Sequence, residues 1–600
     1  MSAVQKREAH SLAYISLGTN FGGNLRLSII ESALSSIQNE VGSIDACSCL
    51  YESLPGFDVD PRPKDQHDLS LPLHLNAVVR VQTEIEDPEV VLEKLHSIEQ
   101  QHGRDRSPSA VRLHRALDLD LLFFVDSELN NRQIHSDKLI LPHPRLYQRN
   151  FVLFPLCDIQ PTLKHPAIEK TIKELIQENL KRREEVLIQS TSSLSNNLSP
   201  LSDPYTIDGN LAVPRRCFAA NDGQLWTIKG GSEFAVEDTL LWIQQVLNRY
   251  GLKEEKEAED ISLQECKERL LQLKHFLLQE PISPRLMGIL NVTPDSFSDG
   301  LKFYDNVEAA VKQAQSLIQG GAAIIDVGGE ATNPFVQEEV SVHTEIERVK
   351  PVIEALRKEI QKNILISVDT RRKPVAEAAI AAGADVINDV SGGEADPSLL
   401  VFAAEQRKYP LVIMHSRGTP KTMDSLAKYD DVVNEVAEFL TEKTNTLIKL
   451  GLPRWRLILD VGLGFAKKAE HSFELLRRLP ELRSKLPSGL PILLGHSRKR
   501  FIGWAIEERQ KKLQVQQKGE DCERKTTTKE EDMNSRDIAG LAVACWASSN
   551  INTCVDILRV HDVKKTDLAC AVMEQLIKSN QQNTQSPVAV LKAMYPSLEG

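Results

Sequence analysis

The sequence lacks the features that mark secreted and membrane-spanning proteins. Its nine cysteines are scattered through 600 residues without a Cys-x-x-Cys pair, so neither a disulfide framework nor a zinc site is indicated. It contains no run of eighteen apolar residues, so no membrane span is expected. The first residues, "MSAVQKREAHSLAYISLG", have no apolar run suited to a signal peptide and are short for a transit peptide. We therefore expect a cytoplasmic protein with no membrane partner.

An excess of basic residues is also missing. The formal net charge is -12, whereas a nucleic-acid-binding protein usually presents a basic face. An anionic ligand must then be held by locally concentrated arginine and lysine. The contents of hydrophobic residues (41%) and charged residues (26%) are ordinary for a globular protein. A chain of 600 residues predicts at least two cores.

The N-terminal segment, residues 11–180, has the order β-α-β-β-α-β. Strand-like runs such as "SLAYISLG" and "LHLNAVVRV" alternate with two helical patterns, "NLRLSIIESALSSIQNEVG" and "DPEVVLEKLHSIEQQHG". That order predicts an α+β ferredoxin-like domain. Residues 181–280 read as a linker and connector, with a hairpin in "RRCFAANDGQLWTIKGG" followed by two amphipathic helices, and they carry no recognisable chemistry.

The C-terminal segment, residues 281–600, alternates strands with helices. Eight apolar runs, from "LMGILNV" to "VDILRVHDV", each end in polar residues or glycine. A doubly wound sheet competes with a (β/α)8 TIM barrel here, but eight repeats favour the barrel. The almost purely charged and polar stretch 507–537 is interpreted as a surface insertion before the last helices.

The strand "RALDLDLLFF" carries two acids on one face. Alternation places Asp118 and Asp120 together and the intervening leucines on the other face. Either the polar face is simply solvated or a cation lies between the carboxylates. Surrounding loops concentrate cationic side chains, which form either a salt-bridge network or a site for phosphate and Mg²⁺. These residues are Arg104, Arg106, Arg112, Arg115, His143, Arg145 and Arg149.

The ordered motifs "YISLGTN", "LHLNAVV", "IEQQHGR", "RALDLDLLFF" and "LPHPRLYQRNFVL" resemble 6-hydroxymethyl-7,8-dihydropterin pyrophosphokinase. The resemblance implies transfer of pyrophosphate from ATP to the pterin hydroxymethyl group, with Asp118 and Asp120 holding two Mg²⁺ ions. It implies that Asn76 and Phe151 contact the pterin. It places the following residues at ATP or its phosphates: Glu99, Arg104, Arg106, Arg115, His143 and Arg149. One departure is "VRLHR" where bacterial members have Arg-Trp-Gly-Pro-Arg, so Arg112 need not be the mobile-loop arginine.

Polar residues also end nearly every strand of the predicted barrel. One strand end alone would be explained by capping or a salt bridge, but all eight ends of a barrel converge on one mouth. Carboxylates and amides can pair with an amino-pyrimidinone edge, while basic groups suit an anionic leaving group. The collected residues are Asn291, Asp326, Thr332, Asp369, Asn388, Met414, Asp460, Lys499, Arg559 and His561.

The runs "MGILNVTPDSFSDG", "IIDVGGEAT", "INDVSGG", "LDVGLGF", "GHSRKRFIG" and "RVHDV" resemble dihydropteroate synthase. The resemblance implies condensation of 4-aminobenzoate with the pterin pyrophosphate, with Asn291 as a Mg²⁺ ligand. The implied pterin pocket consists of Asp369, Asn388, Met414, Asp460 and Lys499. The implied pyrophosphate and aminobenzoate residues are Thr332, Pro334, Phe465, Ser497, Arg559 and His561. Asn333 departs from the family, since "TNPF" replaces the bacterial Thr-Arg-Pro-Gly.

The two resemblances support each other, because the product of the first reaction is the substrate of the second. One alternative is that one domain is inactive and serves as a regulatory or scaffolding module. Another is a pterin-binding barrel of a methyl-transfer type, against which "SRK" and "RVHDV" argue. The expected partners are small molecules, with no nucleic acid. A homodimer through the barrel is expected because related synthases commonly form one.

Overall fold

The structure is a computed structural model that describes most of both halves of the chain. The described residues are 10–21, 25–53, 73–104, 116–179, 215–221, 224–227, 283–293, 307–330, 340–487, 489–516, 529–549 and 555–583. The two amphipathic helices expected after the connector hairpin lie outside these ranges.

An antiparallel sheet with helices forms the N-terminal half, as the sequence predicts. The strand order is β5-β1-β4-β3-β8-β9, with β2 also paired to β4. A two-stranded sheet, β6-β7, lies beside it. The strands are β1 (Ser11–Thr19), β2 (Ser43–Cys47), β3 (Leu50–Ser53), β4 (His74–Thr83), β5 (Asp118–Val125), β6 (Ile134–His135), β7 (Ile140–Leu141), β8 (Arg215–Asn221) and β9 (Gln224–Thr227). The helices are α1 (Arg26–Glu40), α2 (Pro88–Gln101) and α3 (Asn150–Ile159).

The apolar run "IDACSCLYES" is divided between β2 and β3. The break falls at Ser48 and Cys49, where the Ser48 hydroxyl accepts the backbone N–H of Val78 at 2.9 Å. The Cys49 N–H leaves the sheet and donates to the carboxylate of Asp158 on α3 at 3.1 Å. The Ser48 N–H still donates to the Val78 carbonyl at 2.9 Å, but side chains accept the N–H groups of Val78 and Cys49, which period-2 patterning does not reveal.

Eight parallel strands close the C-terminal half into a barrel, which confirms the TIM-barrel prediction. One apolar residue from each strand joins a core cluster inside the barrel. The strands are β10 (Arg285–Asn291), β11 (Ala322–Gly328), β12 (Leu365–Asp369), β13 (Val386–Asp389), β14 (Leu411–Met414), β15 (Leu457–Asp460), β16 (Ile492–Leu494) and β17 (Ile557–Val560). Their carboxyl ends form one rim, the mouth of the barrel.

The barrel helices begin where acids or serine can cap them. Asp396, Asp431 and Ser341 each accept an N–H in the first turn of the helix that follows. No helix in the described ranges is both long and apolar enough to cross a membrane. The helices are α4 (Val307–Gln319), α5 (Val342–Glu359), α6 (Lys373–Ala382), α7 (Pro397–Gln406), α8 (Val432–Lys449), α9 (Ala469–Arg477), α10 (Leu479–Lys485), α11 (Arg500–Gln516), α12 (Lys529–Ser549) and α13 (Val563–Asn583).

The charged stretch 507–537, expected as a surface insertion, is helical where the structure describes it. Helix α11 extends through its first part and α12 begins within it, so only 517–528 lie outside the described residues. Ile502 is buried and Ile506 packs on the core, while Glu508 and Lys511 form an ion pair at 2.9 Å. The apolar face of α11 therefore lies before residue 507, and its charged continuation is helical and largely exposed.

The connector hairpin joins the two halves. Strand β8 pairs with β3 of the N-terminal sheet, and its Ala220 lies in the barrel's internal core cluster. Arg456, at the N-terminal end of β15, donates to the Ala219 carbonyl at 3.1 Å and forms a two-pronged ion pair with Glu31 of α1. The N-terminal half therefore packs on the end of the barrel opposite its mouth.

Candidate active sites

Asp118 and Asp120 lie on the same side of β5, as the alternation predicts. Both are partly exposed, whereas Leu119 and Leu121 are buried on the other face. The strand therefore presents two side-by-side carboxylates on its partly exposed face, beside Arg104, which follows α2.

On the interior side of the first acid, Arg104 contacts Asp118, and Glu99 contacts Arg104 and β5. The Arg104 guanidinium contacts the Asp118 carboxylate and lies 3.0 Å from the Glu99 carboxylate. Glu99 is fully buried and accepts the backbone N–H of Leu119 at 2.9 Å. This placement differs from the nucleotide contact expected for Glu99, because its oxygens are turned inward to β5 and Arg104.

His143 faces the second acid from the other side, and Arg149 lies further along the chain at the start of α3. His143 Nε2 lies 4.0 Å from Asp120. Burial lowers the pKa of His143, and the Asp120 charge opposes that shift. Arg149 is buried at the start of α3, with its guanidinium carbon 5.6 Å from the centre of the Phe151 ring. A guanidinium therefore lies beside the first carboxylate and an imidazole beside the second.

Gly18 separates the predicted pterin residue Asn76 from Asp118. It stands opposite Asn76 on β4 and opposite Asp118 on β5. A Cβ at Gly18 would lie 3.5 Å from the Asn76 amide oxygen and 3.9 Å from the Asp118 Cβ. The glycine therefore leaves space between these two residues. Sequence reasoning missed it, although "SLGTN" marks a glycine inside a strand pattern.

Several predicted site residues lie outside the described part of the chain. They are Arg106, Arg112, Arg115, Thr332, Asn333 and Pro334. Within the described ranges, no group of three or more His, Cys, Asp or Glu side chains is arranged to hold a metal. The paired aspartates nevertheless fit Mg²⁺, which commonly takes one or two carboxylates and completes its octahedron with phosphate oxygens and water.

At the mouth of the barrel, Arg559 bridges two acids. Its Nε donates to Asp326 at 2.6 Å and a terminal nitrogen donates to Asp369 at 2.5 Å. Asn388 also donates to Asp326, at 3.0 Å. The ends of β11, β12, β13 and β17 thus meet in one network. In the structure two carboxylates balance the charge of Arg559. The family resemblance predicts that this arginine binds pyrophosphate.

Burial shifts the proton affinity of the mouth residues. It raises the pKa of Asp369 to about 7, although Arg559 acts in the opposite direction. It also raises the pKa of Asp460, with Lys499 opposing. For Lys499 burial lowers the pKa to about 8, while Asp460 counters the shift. The mouth therefore holds ionisable groups whose charge a ligand can change.

Lys499, Phe465 and Ser497 line the opposite side of the mouth. The Lys499 amine contacts the Leu463 carbonyl and lies 4.6 Å above the centre of the Phe465 ring. Ser497 Oγ lies 3.0 Å from Nδ1 of His561. The structure therefore brings together the predicted residues of β15, β16 and β17.

The buried floor of the mouth offers a polar atom to a ligand. The side-chain oxygen of Asn388 has no hydrogen-bond partner among the described residues, although the residue is almost completely buried. Met414 is buried at the neighbouring strand end. Asn291, on β10, stands beside Gly328, where an added Cβ would lie 3.3 Å from the Asn291 side-chain oxygen. An unpaired acceptor above an apolar floor suits a flat heterocycle with N–H donors.

Comparison with known proteins assigns both halves. Residues 14–161 match the family model of 7,8-dihydro-6-hydroxymethylpterin-pyrophosphokinase, and residues 287–561 match that of pterin binding enzymes. A "Folate synthesis bifunctional protein, mitochondrial" from Arabidopsis thaliana is 30% identical over 96% of this chain and 85% of its own length. The chain belongs to the bifunctional folate synthesis family. Both of its halves, the kinase half and the synthase half, are transferases.

Other relatives match one half or share the fold. A dihydropteroate synthase from Synechocystis is 42% identical to the synthase half, over 48% of this chain and 89% of that protein. The crystal structure of Plasmodium falciparum HPPK-DHPS with pterin and p-hydroxybenzoate has a TM-score of 0.62 at 22% identity. The match covers 96% of this chain and 98% of that one, and at this identity it supports the fold alone.

The synthase half also contains mouth residues that sequence reasoning missed. His415 and Lys467 are both buried beneath the loop that follows β15. For His415 a signal was present in "IMHSRG", where the histidine directly follows an apolar strand end. A lysine beside a second lysine reads as a solvated charge pair, so the sequence offered no reason to separate Lys467 from Lys468.

Proposed function

We propose that this enzyme carries out two consecutive steps of folate synthesis. The kinase half transfers pyrophosphate from ATP to 6-hydroxymethyl-7,8-dihydropterin and releases AMP. The synthase half then condenses that product with 4-aminobenzoate to give 7,8-dihydropteroate and pyrophosphate. The observation that carries the proposal is the pair of side-by-side aspartates on β5 in a chain whose barrel mouth joins Asp369, Asn388 and Lys499.

In the kinase half, Asp118 and Asp120 are the residues that would hold Mg²⁺, which would screen the ATP phosphates when bound. Arg104 contacts both Asp118 and the buried Glu99, so Glu99 would still hold the arginine if Asp118 ligated Mg²⁺. Catalysis is then positioning and charge neutralisation of the transferred group. We assign the neutralising roles to Arg104, Arg106, Arg115, His143 and Arg149. Asn76 and Phe151 orient the pterin.

In the synthase half, the pterin lies against Asp369, Asn388, Asp460 and Lys499, with Met414 beneath it. Departure of pyrophosphate leaves cationic character on the pterin methylene, and the aromatic amine attacks that carbon. Arg559 exchanges carboxylate partners for the anionic leaving group. We assign the remaining roles at pyrophosphate and aminobenzoate to Asn291, Thr332, Pro334, Phe465, Ser497 and His561, with Asn291 as the residue that would ligate Mg²⁺.

A coupled assay with single-site variants tests this proposal. Purified chain is given the hydroxymethylpterin, ATP, Mg²⁺ and aminobenzoate, and AMP and dihydropteroate are measured separately. Asp118→Ala should abolish AMP formation but still convert supplied pterin pyrophosphate. Lys499→Ala should form AMP and no dihydropteroate. If the unsubstituted chain forms no AMP, or forms no dihydropteroate from supplied pterin pyrophosphate, the result supports the alternative of one inactive domain.

We also propose that the synthase half forms a homodimer through α12 and α13. Leu568, Val572 and Leu576 are 60%, 61% and 52% exposed and follow one another at helical i, i+4 spacing. Trp546 of α12 is 46% exposed. Sedimentation of Val572→Glu tests this, with Val401→Glu on α7 as the matched control. A dimer that survives Val572→Glu at micromolar concentration contradicts the proposed interface.

A cytosolic location is likewise a proposal. It is supported by Cys47, Cys49, Cys157, Cys545 and Cys570, which are free thiols, as is usual in a reducing compartment. The Arabidopsis relative is named as mitochondrial. Fractionation of cells with an antibody against the chain, using matrix and cytosolic markers, decides between the two compartments.

A further inference from the structure

The loop after β15 has positive φ at three residues and one backbone hydrogen bond, from the Phe465 N–H to the Gly462 carbonyl at 3.1 Å. Gly462, Gly464 and Ala466 all have positive φ, at 67°, 74° and 48°. Positive φ is costly for alanine. Gly462 also lies so close to His415 that an added Cβ would be 2.0 Å from the His415 carbonyl oxygen. Such a conformation persists only where surrounding groups impose it.

Side chains supply the hydrogen bonds that impose this conformation. The amine of Lys467 donates to the carbonyls of Gly462 and Phe465, at 3.0 and 3.1 Å. Lys499 donates to the Leu463 carbonyl, and the Tyr429 hydroxyl donates to the Ala466 carbonyl at 3.0 Å. Four of the five consecutive carbonyls from 462 to 466 therefore bind side-chain donors.

Lys467 also ties the loop to the neighbouring strand end. Its amine lies 2.8 Å from Nδ1 of His415 and 3.3 Å from the His415 carbonyl. His415 follows β14 directly, and its N–H donates to the Asp460 carbonyl at 3.0 Å. Its ring packs edge-on against Phe439 of α8, with the ring centres 4.9 Å apart. The lysine thus joins the loop to a histidine that core packing holds in place.

The protonation of these two residues is compatible with that role. Burial lowers the pKa of His415 to about 2, so its ring is neutral and Nδ1 can accept a hydrogen bond from the lysine amine. Burial lowers the pKa of Lys467 well below its ordinary value, and the charge of Lys499 acts in the same direction. The charged amine has three N–H groups, which are enough for the two loop carbonyls and for His415 Nδ1 together.

We propose that Lys467 is a positioning residue of the synthase half, which holds the β15 loop so that Phe465 borders the aminobenzoate. The inference rests on the proposed placement of aminobenzoate beside Phe465. Lys467 itself is almost completely buried beneath the loop, so it acts through Phe465 and the Leu463 carbonyl that contacts Lys499. A displacement of about 1 Å in a substrate-positioning group can change rates by about a hundredfold.

Lys467→Met tests the proposal, because methionine has a similar length but no donor for the loop. We expect the KM for aminobenzoate to rise about tenfold, with kcat at saturating substrate changed by less than about threefold. AMP formation by the kinase half of the same chain should stay unchanged, which reports on folding and concentration. An unchanged aminobenzoate KM in a folded, synthase-active variant overturns the inference.

Two further variants separate positioning from general destabilisation. Lys468→Met places the same substitution on the exposed neighbouring lysine and should leave both activities unchanged. Tyr429→Phe removes only the donor to Ala466 and should raise the aminobenzoate KM about two- to fivefold, which covers the case in which Lys467→Met does not fold. A fall in kcat with unchanged KM in both loop variants would indicate a merely structural lysine. Absence of synthase activity in the unsubstituted chain would refute the proposed function instead.

Discussion

The ion pair between Glu31 and Arg456 should contribute to the stability of the synthase half, although Glu31 belongs to the kinase half. Arg456 is completely buried and the Glu31 side chain is 18% exposed. The guanidinium donates to both carboxylate oxygens, at 2.9 and 3.1 Å, and the Trp455 indole adds a third donor at 3.2 Å. Replacement of Glu31 by glutamine keeps the size but leaves a buried arginine without its counter-charge.

The expected cost follows from this burial. Removal of one partner from a buried ion pair costs about 3–5 kcal/mol, because the other charge stays desolvated. Partial exposure of Glu31 and the remaining hydrogen bond to the Ala219 carbonyl reduce this to about 2–3 kcal/mol. For a unit the size of the barrel, that corresponds to a Tm decrease of roughly 4–12 °C in the synthase transition.

Thermal inactivation of each activity measures the effect on each half separately. After timed incubation at increasing temperature, AMP formation and dihydropteroate formation are assayed on the same samples. Glu93→Gln is the matched control, since its ion pair with Lys138 spans 3.6 Å and both side chains are more than two-thirds exposed. We expect that control to change stability by less than about 0.5 kcal/mol.

The double substitution Glu31→Leu with Arg456→Met tests whether the lost stability comes from the uncompensated charge of Arg456. An apolar pair of similar volume can replace a buried ion pair at little cost, so it should recover more than half of the loss. If Glu31→Gln inactivates at the same temperature as Glu93→Gln, the ion pair does not couple the halves. If the double variant is less stable than Glu31→Gln, the loss arises from packing and not from an uncompensated charge.

Three further predictions concern the active sites. Synthase turnover should fall as the pH rises through about 8, where Lys499 loses its proton, and Lys499→Arg should abolish that decline below about pH 10. Between pH 8 and 10.5 the unfolded chain binds this proton and the folded chain does not, so the Lys499 contribution to stability rises with pH. A parallel loss of stability and turnover would contradict the assignment. Asn333→Arg should increase affinity for pyrophosphate in the synthase half, and no gain measured by product inhibition would count against a charge deficit there. A mixture of Asp118→Ala and Lys499→Ala chains should form dihydropteroate at close to the unsubstituted rate per active site, whereas a rate lower by tenfold would require direct transfer within one chain.

Local patterns in the sequence predicted the elements that carry the chemistry. Alternation in "RALDLDLLFF" placed Asp118 and Asp120 on one face, because a strand's period follows from backbone geometry. The eight apolar runs predicted the barrel and its mouth for the same reason: each signal is contained in a few consecutive residues. The resemblance to two families added the identities of the substrates.

Long-range contacts explain what the sequence did not reveal. Glu31 and Arg456 are 425 residues apart, and nothing in either neighbourhood indicates the other. The inward direction of Glu99 depends on Leu119 and Arg104, which different segments supply. Lys467 differs from Lys468 only in the loop that covers it. Which residues contact these side chains depends on the tertiary fold, and local patterns in a single sequence do not encode it.

The polarity of the barrel determines how the intermediate must travel. The kinase half contacts the ends where barrel strands begin: Arg407, before β14, donates to Gln38 at 2.9 Å, and Cys49 donates to the carbonyl of Gly489, before β16, at 3.4 Å. The synthase residues lie at the opposite ends of the same strands. Between them, the barrel interior is filled by one apolar side chain from each strand and by Ala220 of the connector hairpin. A packed interior leaves no passage for a pterin pyrophosphate. We therefore expect the intermediate to leave the kinase site and pass around the barrel, which is the outcome that the mixture of Asp118→Ala and Lys499→Ala chains tests.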